Sequence, residues 1–268
     1  MPAPQRHVLD DDDRPVGRVL SRREVLALLG AAGATVVTAA YAPRVLAQGA
    51  SASPSTSADG AVASPGTAIP ACVVSPELTE GPYFVDVALD RSDIRSDPTS
   101  GILREGLPLE LRFLVSRLDG TSCLPFEGVL VDVWHCDATG IYSGVQDRSF
   151  DTSGEQWLRG FQRTDADGAA SFLTIYPGWY SGRAVHIHFK IRTDPDEASG
   201  LELTSQLFFD DEVSRSVFTL PPYAAKGSQD VPNDQDMIYQ QGGELLQLAL
   251  LPTADGYAAE VPIGVIIS

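Results

Sequence analysis

The sequence predicts an all-β domain, a sandwich or a barrel. Short β-rich runs recur, Gly, Asp and Pro turns separate them, and no long stretch carries helical periodicity. The runs are Leu107–Ser116, Val129–Trp134, Ala170–Tyr176, Arg183–Arg192, Leu203–Phe209, Leu245–Leu251 and Glu260–Ile267. One or two helical turns are expected between Asn233 and Leu246. Of the 268 residues, 43% are hydrophobic, enough for a substantial core. A formal charge of −17 argues against nucleic acid and anionic membrane as partners, without naming a substrate.

The domain is preceded by two segments of another kind. Arg22-Arg23 stands ahead of a short Ala/Gly-rich apolar run, Ala27–Ala40, with Val45-Leu46-Ala47 behind it. A paired arginine before a weakly hydrophobic run reads as a twin-arginine export signal over residues 1–47, cleaved after Ala47. The run is too short and too rich in Gly for a spanning helix. Gln48–Pro70 is Ser, Ala, Gly, Pro and Thr and reads as a flexible linker. Residues 71–268 then form one domain. An exported chain with Cys72, Cys123 and Cys136 has room for one disulfide and one free thiol. The sequence leaves the pairing open, and Cys72 bonded back to either of the others is a reasonable expectation. No Cys-x-x-Cys spacing suggests a thiolate metal site.

Within the domain, Val185-His-Ile-His-Phe-Lys-Ile191 alternates. Val185, Ile187, Phe189 and Ile191 would face the core, and His186 and His188 would lie side by side on the other face. Two of the four histidines of the chain are here. Alone, this His-x-His is either a pair of solvated side chains or half of a metal site. His135, beside Cys136, reads as a structural histidine. Tyr142 and Tyr180, each after a Gly-containing turn, read in isolation as surface or edge residues. Asp165-Ala-Asp-Gly168 begins like a calcium loop but lacks the later acidic ligands, so a tight turn between strands is expected.

Together, these segments resemble the intradiol ring-cleavage dioxygenases, the family of catechol 1,2- and protocatechuate 3,4-dioxygenases. The resemblance rests on Thr79-Glu-Gly-Pro-Tyr83, Val131–Tyr142, Arg159–Gly168, Pro177-Gly-Trp-Tyr180, Arg183-Ala-Val-His-Ile-His188 and Gln206-Leu-Phe-Phe209, in the family's order. It implies a β-sandwich of mainly antiparallel strands with long active-site loops. It implies an Fe(III) ion held by Tyr142, Tyr180, His186 and His188. Two phenolates and two imidazoles suit ferric over ferrous iron. By the same resemblance, Tyr142 or Tyr180 leaves the iron when a catechol binds and takes up a substrate proton. Arg183 would face the negative charge that develops on the ring, with Gln206 beside it. Pro82, Tyr83, Tyr176 and Trp179 are the pocket candidates. The implied partners are a catechol, with an uncharged ring favoured over a carboxylated one, and O2.

The chain departs from the best-known members in three ways. The step from Tyr180 to Arg183 is short, a signal and linker replace the N-terminal helical segment, and export is unlike the cytoplasmic enzymes. Oligomeric state is therefore not carried over. Two other readings compete. A non-catalytic transthyretin-like sandwich module would use the same turn and Pro-Gly-Trp segments, but it leaves Tyr142, Arg183, His186 and His188 unexplained. An Fe(II) or copper site on the His pair requires a nearby carboxylate or third histidine.

Overall fold

The computed structural model describes residues 74–119, 122–193 and 200–266. The expected signal and linker lie outside them, as does Cys72. The strands are β1 (Pro108–Asp119), β2 (Ser122–Pro125), β3 (Leu130–Trp134), β4 (Arg159–Arg163), β5 (Ala169–Ile175), β6 (His186–Arg192), β7 (Glu202–Phe208), β8 (Leu251–Pro252) and β9 (Tyr257–Ile266). They form two sheets, β2-β1-β9-β8 with β5 also on β1, and β4-β3-β6-β7. All pairings are antiparallel except β1 with β9.

Alternation builds the core between the sheets. Leu109, Leu111, Phe113 and Val115 of β1 point inward, as do Ala259, Val261, Ile263 and Val265 of β9. From the second sheet come Val131 and Val133 of β3 and Ile187, Phe189 and Ile191 of β6. Phe113 joins the layers, with ring centroids 5.8 Å from Phe172 and 5.6 Å from Phe189.

The opposite face of β6 is also covered. The segment from Val74 bonds first to β9, through Ser75 N–H to Gly264 O, and then to β7, through Leu78 N–H to Thr204 O. It continues over the second sheet as the Thr79–Tyr83 loop, which buries His186, His188 and Lys190. Lys190 is paired there with Glu80 and Glu202. The solvated alternative for the two histidines is thereby removed.

Three elements depart from the expected runs. Leu245–Leu251 is not a strand: Gly243–Leu246 is a 3-10 turn and only Leu251–Pro252 pairs, because one bridge, Phe208 to Gln247, ties this stretch to β7. The strand expected from Arg183 begins at His186, since Ala184 N–H bonds to Asp236 instead of a ladder partner. A helix, α1 (Asp211–Val217), has no counterpart among the expectations. Asp210 caps it by accepting from Glu212 and Val213 N–H. The helical turns expected in Asn233–Leu246 are three 3-10 turns. Asp165 closes the turn from β4 to β5 by accepting from Asp167 and Ala169 N–H. Cys123 is disulfide-bonded and Cys136 is a buried free thiol, which excludes Cys136 from the disulfide.

Candidate metal centre

β6 presents His186 and His188 on one face with their Nε2 atoms 3.1 Å apart. Metal–nitrogen bonds of about 2.1 Å meeting at a right angle place two nitrogens about 3 Å apart. The His186 Nδ1–H donates to Ala184 O at 2.7 Å, which leaves the Nε2 lone pair facing inward. The His188 ring stacks on Trp134 at 5.0 Å and 7° between planes. Gly81 presses on its other side. With φ +71°, Gly81 is left-handed, and a Cβ there would sit 3.2 Å from His188 Cε1. Burial, and secondarily the Arg183 charge, lowers the His186 pKa to about 3. Burial, His186 and Arg183 push His188 far below the ordinary histidine range. Both imidazoles are therefore neutral donors.

The tyrosines come from loops. Tyr142 follows β3 across a turn built on Asp137, whose Oδ1 accepts from Thr139 N–H, Thr139 Oγ1–H and Ile141 N–H. Tyr180 follows β5 through Pro177-Gly-Trp. The two loops interlock. Gly178 N–H donates to Asp137 O, and the Lys226 ammonium bridges Thr139 O and Trp179 O, each at 2.6 Å. At Gly140, φ +86°, a Cβ would lie 2.1 Å from Trp179 O, so only glycine permits this approach.

Tyr180 Oη lies 3.2 Å from His186 Nε2, and the Tyr142 ring is 5.8 Å from Tyr180 and 6.1 Å from His188. All four expected ligand side chains are thus brought together. Tyr142 Oη is fully buried and forms no hydrogen bond of normal geometry. Burial first, and the neighbouring Tyr180 phenol second, raise its pKa well above the tyrosine range. Such a phenol ionises only beside a cation. Two neutral imidazole nitrogens and an orphaned buried phenol suit a hard metal ion. Among the described residues no group of three His, Cys, Asp or Glu could hold one, so the donor set depends on tyrosine. His135 is no third ligand. Its ring bonds Cys136 O and Thr174 Oγ1, and burial lowers its pKa to about 4.

Arg183 is buried beside the pair, with Nε–H donating to Asp236 at 2.9 Å and Nη2–H to Gln206 Oε1 at 2.6 Å. Gln206 in turn donates to Thr79 O. Tyr83 stacks on Tyr142 at 4.6 Å and donates its hydroxyl to Asp147. Pro82 is exposed on the same loop. Trp179 faces away, its indole N–H on Gly227 O and its ring under the Lys226 ammonium. Tyr176 does not line this site. Its ring is packed in the main core against Phe209, and its hydroxyl meets Ser214 of α1.

Two further side chains position the site from a distance. Arg159 is buried, donates from Nε to Ser143 O at 3.0 Å and from Nη1 to Tyr83 O at 2.7 Å, and so ties Tyr83 to the Tyr142 loop. Its motif was visible, but its reach across the site was not. Asp236 lies 53 residues beyond Arg183.

The family model described as "Dioxygenase" matches residues 79–218. Catechol 1,2-dioxygenase 1 of Acinetobacter lwoffii is 30% identical over 153 residues, 47% of this chain and 43% of that protein. The protocatechuate 3,4-dioxygenase beta chain of Burkholderia cepacia is 32% identical over 131 residues, 46% of this chain and 54% of that one. The chain spans about half the length of the curated relatives it matches. A solved intradiol ring-cleavage dioxygenase from Tetranychus urticae superposes with a TM-score of 0.63 at 30% identity, over 72% of this chain and 94% of that one. The match runs from the Thr79 loop through both histidines and beyond Gln206, and on it the chain belongs to the intradiol ring-cleavage dioxygenase family.

Proposed function

We propose that this protein is an exported Fe(III) dioxygenase. It cleaves catechol-type rings between the two hydroxyl-bearing carbons to give muconate-type diacids. The observation that carries the reading is the convergence of two neutral imidazole nitrogens and the phenols of Tyr180 and Tyr142 on one buried point. Tyr142, Tyr180, His186 and His188 are the residues that would hold the ion. The bound ferric ion would supply a Lewis acid for both catechol oxygens and the redox partner that lets the ring react with O2.

The protein's own groups do the rest. Tyr142 or Tyr180, as a phenolate, accepts one of the two protons of the incoming diol, and the other passes to solvent. Burial raises the Tyr142 phenol above the ordinary tyrosine range, so it holds its proton once released. Arg183, fixed by Asp236 and Gln206, faces the charge that builds on the ring. Tyr83, stacked on Tyr142, limits the water that reaches the phenol. Catechol plus O2 balances the diacid, with no further reductant. The nearby cations favour an uncharged ring. Arg159 and Lys226 are committed to backbone carbonyls, and the Nε and Nη2 of Arg183 to Asp236 and Gln206. Export is supported by Arg22-Arg23 and the Ala/Gly run that follows. Among the described residues no helix is long and apolar enough to cross a membrane.

The test is the visible spectrum of the iron-loaded protein, with metal analysis, before and after anaerobic catechol. A broad tyrosinate-to-iron band that moves to longer wavelength is expected. A protein that remains colourless after iron reconstitution sinks the reading and restores the non-catalytic module.

A further inference from the structure

Asp236 directly follows the 3-10 turn Asn233–Gln235, in extended backbone, and is 1% exposed. Its carboxylate accepts four hydrogen bonds. Oδ1 takes Ile238 N–H at 2.7 Å and Tyr239 N–H at 2.9 Å, which anchors the carboxylate to its own turn. Oδ2 takes Arg183 Nε–H at 2.9 Å and Ala184 N–H at 2.6 Å. The carboxylate therefore has no rotational freedom, and the guanidinium plane it holds has none either.

A guanidinium offers five N–H donors in a fixed fork. Here Nε is held by Asp236 and Nη2 by Gln206. Nη1 has no hydrogen bond among the described residues and is not among the fully buried orphaned atoms. The phenols of Tyr180 and Tyr142 both feel the Arg183 charge. Removing either anchor would let the head group rotate about its last torsions, while the buried cation would remain beside the histidines.

Resting on the function proposed above, we propose that Asp236 is a positioning residue. It aims the Nη1 edge of Arg183 at the ring of the bound catechol, so that the cation serves the transition state rather than the resting site. A buried ion pair is weak evidence for stability, since desolvation offsets most of its attraction. Aiming accounts for the geometry better. Three backbone N–H groups fix the carboxylate, so its bond to Nε holds the guanidinium in one orientation.

The experiment is a cycle of Asp236→Asn, Arg183→Ala and the double variant in the iron-loaded enzyme. It reads kcat, KM for catechol, iron per chain and the visible band. Asp236→Asn should keep iron and colour, leave KM within about twofold, and lower kcat about 10- to 100-fold, below the range for losing a whole electrostatic donor. The double variant should be no slower than Arg183→Ala, because Asp236 acts through Arg183. Asp236→Glu keeps the charge but moves it by one methylene, and should lower kcat several-fold at unchanged iron content. Wild-type kcat in Asp236→Asn or Asp236→Glu overturns the proposal. So does a double variant whose loss is the product of the two single losses, or iron loss in Asp236→Asn. If Asp236→Asn does not fold, the Asp236→Glu result decides. A wild-type protein that binds iron and turns over no catechol overturns the functional reading with it, whereas normal wild-type turnover isolates the fault to Asp236.

Discussion

The two halves of the centre are built from different materials. The histidine half is one strand: His186 and His188 are successive same-face residues of β6, flanked by β3 and β7 and roofed by the Gly81 loop. Its geometry follows from the pleat and needs no special side chain. The tyrosine half is two loops. Tyr142 and Tyr180 reach the same point only because Asp137, Gly140, Gly178 and Lys226 lock their turns together. The histidine positions are set by the pleat of one strand, whereas the tyrosine positions depend on contacts between two turns.

The comparison is broken most severely at its rigid end. His188→Ala should remove the iron and its colour, as read by metal analysis, while Tyr180→Phe should retain part of the iron with an altered band. Equal and complete iron loss in both would mean that the two halves hold the metal alike. Next, Arg183→Ala should keep iron and colour and lower kcat about 100- to 1,000-fold, the cost of one positioned electrostatic group. Wild-type turnover would remove its catalytic role.

The sheet half also has a pH signature. His135, at the end of β3, is held neutral at a pKa of about 4, below the unfolded histidine value. The unfolded chain therefore binds the extra proton between about pH 6.5 and 4. Its contribution, intact above about pH 6.5, is lost as pH falls through that window, at up to about 1.4 kcal/mol per pH unit. Chemical denaturation of the metal-free protein across this range should show the summed slope of His135, His186 and His188, and His135→Phe should remove the share of one histidine. An unchanged slope would place the acid sensitivity elsewhere. The smallest effect belongs to the loops. Lys226→Met should lower the melting temperature by only a few degrees yet change the tyrosinate band, because it frees both tyrosine loops from one ammonium. An unshifted band would show that the Asp137 and Gly178 bonds suffice.

The histidine half was the legible one. Alternation in Val185–Ile191 places both imidazoles on one face without any knowledge of partners. The tyrosine half could be read only through the ordered resemblance, since nothing local to Gly140-Ile-Tyr142 says where its phenol points. What stayed hidden was long-range. Asp236 and Arg159 act across gaps of 53 and 76 residues, by side-chain hydrogen bonds that leave no periodicity. Tyr176 was misplaced for the converse reason. Its neighbours Pro177-Gly-Trp belong to the site loop, but its own side chain turns into the core, where Ser214 and Phe209 receive it. α1 was missed because its seven residues are too short for a hydrophobic period, although Asp210 marks its start.

The parallel stack of Trp134 on His188 has an optical consequence. An indole stacked on the His188 imidazole at 5.0 Å lies close to any ion that this ring would hold. A ferric centre with a broad visible band would quench its emission by energy and electron transfer. The chain has three tryptophans. Trp157 lies against the Arg104 guanidinium and Trp179 against Lys226. The intrinsic fluorescence of this protein should therefore act as a gauge of metal loading in real time, dimming as the site fills and brightening under a chelator, with no label added.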